Sequence, residues 1–454
     1  MKLKISNIFR NRDNKIKWEY FIPIFLIIIT LPLIHRLFTP RNELKYLYIA
    51  EDILKSKNPF VYFLNGKLYT DKPPLYFWLI ISSKFIFGNY YTYGLILFNI
   101  AVESFALMKL YKFLSRKYED NTAVITVLMA ITGILQGISL IVIRMDIFLS
   151  SFITLALINF FECYEENDYR KNYKTFIFIG LGFLFKGIVG ILTPLLVIIL
   201  FKFFSNRKYS LKEIRFYSGL SIILSFFLIW AIPAYLSVGS IFLEELFIKQ
   251  TFNRTVNAFV HKRPVYYYLF ILPALLFPWT VISMYTLYSN IRTWIKNIRS
   301  KKKNDDFKIY LLIWVLSTFF YLSAASSKLV IYLLPIMTPI CILSGLKWKE
   351  ISRKKKRNVL IITQILFLIL IISMFFINSE DFLPFRNISV LAFTLTEILS
   401  VILIIAVRYK LSFLSFAMLI PFVFCLASTK IDYINKVTKS QSYSKDIKYE
   451  SILR

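Results

Sequence analysis

Apolar stretches of about 17 to 25 residues recur along the whole chain, each closed by a short polar segment, which is the spacing of membrane-spanning helices. The pattern predicts spans near 21–38, 90–110, 122–139, 147–162, 174–185, 188–204, 216–236, 266–288, 309–324, 329–346, 358–377, 389–407 and 411–428, thirteen in all. Backbone groups in lipid must be satisfied within the segment, so these are helices, and the alternation of an outer-membrane barrel is absent. The fold class is all-α and polytopic. The first run, from Phe21, is too long for a signal-peptide core and lacks a small-residue cleavage site, so it reads as an uncleaved span. Two segments between spans are long, 39–89 and 237–265. In the first, "NELKYLYIAEDILKS" places Leu44, Leu47, Tyr48, Ile53 and Leu54 on one face, predicting an interfacial amphipathic helix from Asn42 or Glu43. Further on, Pro73-Pro74 holds Lys72 extended and suits the first turn of a following helix.

Composition agrees: 57% of the 454 residues are hydrophobic, 18% are aromatic, and the mean hydropathy is +0.60, the profile of an integral membrane protein. The net charge of +30 invites a nucleic-acid reading. Its placement excludes one, because more than half of the Lys and Arg residues fall in alternate short segments such as "NRKYSLKEIR" and "KWKEISRKKKRN", as membrane insertion requires. The bias predicts a cytoplasmic N-terminus and an exported C-terminus. Cys163, Cys341 and Cys425 sit in or beside apolar runs with no paired spacing, so neither disulfides nor a thiolate metal site is indicated. No inner segment carries a phosphate-binding glycine motif, so any chemistry draws on the outer side or on the lipid.

The ionisable residues outside the basic loops and the tail fall, on this reading, on the outer side. They are Glu43 and Lys45; Asp71 and Lys72; Arg144 and Asp146; Lys186; Arg254, His261, Lys262 and Arg263; and Lys328. Singly each has a plain explanation: a snorkelling cation, a helix cap for Asp71, self-neutralisation for Arg144 and Asp146. Six segments sharing one membrane face point instead to a common cleft. Cations, carboxylates and a site open to lipid suit transfer of a sugar from a polyprenyl phosphate, in which Lys, Arg or a divalent metal stabilises the departing phosphate and a carboxylate aligns the acceptor. A transporter or flippase of a lipid-linked sugar is the alternative; it predicts internal repeats and ionisable groups at mid-membrane.

The same residues resemble the GT-C polytopic glycosyltransferases, in the branch of protein O-mannosyltransferases and bacterial aminoarabinose (lipid A) transferases. Asn42-Glu43-Leu44-Lys45-Tyr46 stands for a D-E-x-R-Y-like motif and Asp71-Lys72-Pro73-Pro74, with Tyr76 and Trp78, for an E-K-P-P-like one. Arg144-Met145-Asp146, Lys186-Gly187, "HKRPVYYYL" with "FPWT", and "SKLVIYLLP" follow in order over residues 20–345. The resemblance implies a GT-C-like catalytic region at 1–350, further membrane helices at 351–428, and a short basic outer tail at 429–454 too small for a soluble domain. It implies catalytic roles for Asn42, Glu43 and Asp146, donor-phosphate contacts from Lys72, Lys328 and Tyr332 with Arg254 and Arg263, and support from Lys45, Tyr46, Arg144 and Lys186. It also implies a divalent cation (Zn, Mg or Mn) on Asp71 and His261. The implied partners are a polyprenyl-phosphate-sugar donor, a lipid, glycan or protein acceptor and membrane lipids, at the bacterial inner membrane with the site on the extracytoplasmic face. Two departures stand out. Asn42 replaces the family's Asp, which passes any base role to Glu43 or Asp146 or makes it unnecessary for an anionic acceptor. Asp71 replaces the usual Glu and shortens that arm by one methylene.

Overall fold

The computed structural model describes residues 18–30, 43–246 and 263–375, and these are almost entirely helical. In chain order the helices are α1 (Phe21–Thr30), α2 (Glu43–Ser56), α3 (Leu75–Phe87), α4 (Thr92–Lys117), α5 (Asp120–Thr132), α6 (Ile134–Ile141), α7 (Asp146–Glu166), α8 (Tyr173–Lys186) and α9 (Val189–Phe204). After them come α10 (Phe216–Val238), α11 (Ser240–Glu244), α12 (Tyr267–Leu275), α13 (Thr280–Arg299), α14 (Asp306–Ala324), α15 (Leu334–Glu350) and α16 (Arg353–Phe375). By length and composition five of them can cross a membrane (α4, α7, α10, α14, and α15 with the 3-10 turn before it), or six if α5 and α6 form one bent span. The predicted spans at 389–407 and 411–428, the tail at 429–454 and the end of the first span lie outside the described residues.

Two predicted spans are broken. The run at 122–139 divides at Gly133 into α5 and α6, bent by 61°. The run at 266–288 divides into α12 and α13 around Leu276–Trp279, where Pro278 supplies no N–H. Irregular backbone at such depth needs partners in the protein, and here each break serves the other. The Ile134 N–H donates to the Phe277 carbonyl at 3.0 Å, and the Trp279 indole N–H donates to Thr132 Oγ1 at 3.0 Å.

The buried centre is α7, with 89% of its apolar window enclosed, whereas α10 encloses only 28% and turns Leu224, Ile229, Ile232 and Leu236 outward as a lipid-facing surface. Helices α8 and α9 approach so closely that a Cβ on Gly190 would stand 2.4 Å from the Gly182 carbonyl carbon. Helix α2 is the predicted amphipathic helix, burying Leu44, Leu47 and Ile53 while Tyr48 stays exposed.

Between α2 and α3 lies a small antiparallel hairpin, β1 (Phe63–Leu64) with β2 (Lys67–Leu68), turned by Asn65 at φ 52° and Gly66 at φ 74°. An Asn-Gly pair with positive φ at both positions is the turn that matches strand twist. Asp52 of α2 accepts from the Phe63 N–H at 2.8 Å, and Tyr69 donates its N–H to the Tyr62 carbonyl at 3.0 Å, so the hairpin delivers the next residues to a fixed place.

Gly190→Ala is expected to cost on the order of 2 kcal/mol, as backbone is forced apart between α8 and α9. A lower unfolding midpoint of the detergent-solubilised protein, followed by tryptophan fluorescence, checks it. Ala at Gly239, where a Cβ would meet nothing within 4 Å but φ is 69°, isolates the cost of backbone strain alone.

Candidate functional site

Helix ends and the turns between them bring the predicted segments together. Glu43 opens α2 fully buried, and its Oε1 accepts from the Ile143 N–H at 2.8 Å, tying α2 to the Val142–Met145 connector between α6 and α7. On that connector Arg144 donates through Nε to Asp146 Oδ2 at 3.0 Å. The other oxygen of Asp146, Oδ1, accepts from the Lys186 ammonium at the end of α8. Asp146 and Lys186 are 1% and 9% exposed, so this is a buried three-charge group rather than a surface pair.

Lys186 extends the group. Its ammonium lies 4.3 Å from the centroid of the Tyr332 ring, a cation–π contact that links α8 to the turn before α15. The next residue, Gly187, has φ 82°, and a Cβ there would lie 4.0 Å from the Pro73 ring. The Asp71-Lys72-Pro73-Pro74 segment therefore abuts the end of α8. Tyr62 fixes that segment from behind, its hydroxyl donating to the Lys72 carbonyl. Two indoles hold the preceding backbone, Trp78 donating to the Pro59 carbonyl at 2.7 Å and Trp230 to the Phe60 carbonyl at 3.1 Å.

On the far side, buried Lys328 donates to the Arg263 carbonyl at 3.1 Å and to the Ala325 carbonyl. The hydroxyl of Tyr268 donates to the Leu329 carbonyl at 2.9 Å. Burial pushes the Lys328 ammonium below its ordinary pKa, and an anion would reverse that shift. Arg263 itself is exposed, 5.6 Å from the Tyr267 ring centroid. Tyr46 completes the group on α2, edge-on to Tyr76 at 5.7 Å, and Lys45 lies 4.7 Å from the Tyr69 ring centroid. Burial, partly offset by Arg144 and reinforced by Asp146, Tyr332 and Asp71, pushes the Tyr46 hydroxyl up to about 12. It remains a neutral hydrogen-bonding group in the field of four predicted site residues.

The structure thus links Glu43, Tyr46, Asp71, Arg144, Asp146, Lys186 and Tyr332 about one junction of loops and helix ends, with Lys45 and Lys72 on the same segments and Lys328 and Arg263 on the turn that leads to Tyr332. Asn42, Arg254 and His261 lie outside the described residues. Among the described residues no group of three His, Cys, Asp or Glu side chains gathers. Asp71 alone contributes too few donors to hold an ion, and no chemical step is assigned to one. Cys163 and Cys341 are free and buried, and Cys425 lies outside the described residues.

The expectation that unassigned charges stand only on the outer side needs correction. Glu103, in the middle of α4, is 3% exposed, and it accepts from Gln136 Nε2 of α6 at 2.6 Å and from Ser151 Oγ of α7 at 2.7 Å. One turn earlier on α4, Asn99 Nδ2 donates to the Leu140 carbonyl at 2.8 Å. The signal was in the sequence: a carboxylate inside an apolar run, which is costly enough to need a reason.

Residues 71–232 match the family model described as dolichyl-phosphate-mannose-protein mannosyltransferase. The undecaprenyl phosphate-alpha-4-amino-4-deoxy-L-arabinose arabinosyl transferase of Wigglesworthia glossinidia brevipalpis is 26% identical over 379 residues, 78% of this chain and 63% of that protein. The protein of the same name from Yersinia pestis (strain Pestoides F) is 24% identical over 70% of this chain and 57% of its own length. The chain therefore spans less than two thirds of these relatives. Among solved structures, ArnT from Cupriavidus metallidurans bound to undecaprenyl phosphate superimposes with a TM-score of 0.76 at 17% identity, covering 91% of this chain and 77% of that one. Its apo state gives 0.75 at 18% identity. The fold is that of ArnT.

Asp146→Ala leaves Arg144 and Lys186 buried without their carboxylate, which is expected to cost about 3–5 kcal/mol. Glu51→Ala at the half-buried Lys84 pair is expected to cost at most about 1 kcal/mol. Parallel thermal unfolding of the two variants in detergent checks the ordering.

Proposed function

We propose that this chain is a GT-C glycosyltransferase, of the protein mannosyltransferase and aminoarabinose transferase type, and that it transfers a sugar from a polyprenyl phosphate to an acceptor outside the cytoplasm. The observation that carries the reading is the charge balance at the junction. One carboxylate, Asp146, is shared by the buried Lys186 and the partly buried Arg144, with Tyr332 against the first of them and Lys72 and Lys328 on adjoining turns. Such a site is preorganised for an anion. A lipid phosphate gains charge as its sugar departs, and fixed cations in a water-poor site stabilise that gain without reorganising. The relatives named for undecaprenyl phosphate, and the ArnT structure that holds it, favour that lipid as donor carrier.

Asp146 serves this chemistry as an anchor. Both of its oxygens are engaged, so it orients Arg144 and Lys186 toward the phosphate instead of taking a proton from the acceptor. Glu43 is likewise buried against the Ile143 N–H. With Asn42 where the family has Asp, the acceptor that suits this arrangement brings its own nucleophilic anion, such as a phosphate on an envelope lipid, and needs no base.

The protein is a multi-pass membrane protein. The Lys/Arg bias supports a cytoplasmic N-terminus, a site on the outer face and residence in the bacterial inner membrane. A divalent cation on Asp71 and His261 remains part of the proposal only as a ligand pair. Metal analysis of the purified protein beside His261→Ala tests it, with stoichiometric metal in the parent alone as the supporting result.

Vesicles carrying the protein, supplied with an undecaprenyl-phosphate-linked sugar and envelope lipid, are expected to form a glycosylated lipid detectable by mass spectrometry. Lys72→Ala, Lys186→Ala and Lys328→Ala should each slow transfer by about 100-fold or more. Asp146→Asn should slow it while keeping the fold. Full transfer in the three lysine variants would overturn the assignment.

A further inference from the structure

We infer that Asn99 and Glu103 of α4 are positioning residues that set the connector carrying Arg144 and Asp146, acting through the half-helix α6 and the start of α7. The inference rests on the functional reading above for its kinetic arm only.

The half-helix α6 is eight residues long and stands between a 61° bend at Gly133 and an extended connector. Helices this short have little stability of their own. Their last carbonyls also lack partners within the helix. Asn99 supplies one for the Leu140 carbonyl, its Nδ2 donating at 2.8 Å, and it reaches the Val142 carbonyl of the connector at 3.3 Å. Both acceptors lie at the junction where α6 gives way to the connector, so this one amide fixes where the connector begins.

Glu103 fixes the other end and the following helix. Its Oε1 accepts from Gln136 near the start of α6, and its Oε2 accepts from Ser151, one turn beyond the first turn of α7, which opens at Asp146. Ser151 also donates to the Ile147 carbonyl at 2.8 Å. Asn99 and Glu103 sit at i and i+4, one above the other on α4. Together they hold α6 at both ends and α7 near its start, while Glu43 holds the Ile143 N–H from the opposite side.

The connector is thus gripped on both flanks, and the three-charge group rides on it. Purely structural filling would be met by apolar side chains at lower cost, because a buried carboxylate and amide are retained only where their geometry is used. The grip touches neither the reacting phosphate nor the sugar. Its effect is on how closely Arg144 and Asp146 meet Lys186.

Glu103→Gln keeps size and shape while weakening the acceptor, and Ser151→Ala removes one donor without touching Glu103 itself. In the vesicle assay both are expected to lower kcat by at least about tenfold, with KM for the undecaprenyl-phosphate donor changed less than about threefold, as a misplaced catalytic group does. Combining Glu103→Gln with Asp146→Asn should be no slower than the slower single variant, because both act through the same group. A second readout needs no activity: maleimide labelling of Val142→Cys, with the parent protein as background, should accelerate at least about fivefold when Glu103→Gln loosens the connector. Additive losses in the double variant, a change confined to KM, or equal labelling rates would each overturn the inference. If the parent protein transfers no sugar, the functional reading fails alone, and the labelling comparison still decides the positioning role.

Discussion

Asp146 gives one oxygen to Lys186 and the other to Arg144 in a place where all three side chains are largely withdrawn from water. Taking three charges out of water costs several kcal/mol for each ion, and a single anion cannot repay two cations. Buried Glu43 brings a second carboxylate to the same connector, and the rest of the packing holds these charges in place. The Tyr332 ring against Lys186 softens the cost with its negative face. Gly187 turns the chain at φ 82°, and the Pro73 ring packs beside that turn.

The broken helices set where that group stands. A continuous helix over 120–141 would carry its C-terminal end straight past the junction. The bend at Gly133 gives α6 a direction of its own, and the connector after it is extended and able to present Arg144 and Asp146 together. Breaking a helix in an apolar setting exposes an N–H and a carbonyl with nowhere to go. Here the second break, around Pro278, accepts the N–H of the first and sends back an indole N–H. One irregularity supplies a partner to the other, tying the two breaks together.

How much of this could be read from the chain depends on range. Local periodicity located α4, α7, α10, α14 and α15 within a few residues, because burial or lipid contact sets the same spacing. It could not see the break at Gly133, since Thr132 and Ile134 flank it with residues as apolar as any span and the cause lies at Phe277, far along the chain. The hairpin at Asn65-Gly66 was legible as a turn dipeptide and was overlooked among longer apolar runs. Charge placement and motif order singled out Asp146 and Lys186, which meet in an ion pair, and Lys72 and Lys328, which stand on the turns before α3 and α15. That Asp146 would be clamped by two cations, and not poised as a base, is a matter of side-chain geometry that spacing does not encode. Glu103 stands away from the span ends where the motifs lie, although a carboxylate within an apolar run carries its own signal.

The reciprocal pairing of the two breaks also bears on biogenesis. When the first half of the chain leaves the ribosome and enters the bilayer, Ile134 and Thr132 arrive well before Phe277 and Trp279 exist. During that interval the kink has no acceptor for its amide, and lipid offers none. The segment must wait within the insertion machinery, or enter as a straight helix that bends only when its late partner is made. The fold of the early half is in this sense completed by the late half, and a nascent chain stopped before residue 277 would hold every residue of α5 and α6 without the means to shape them.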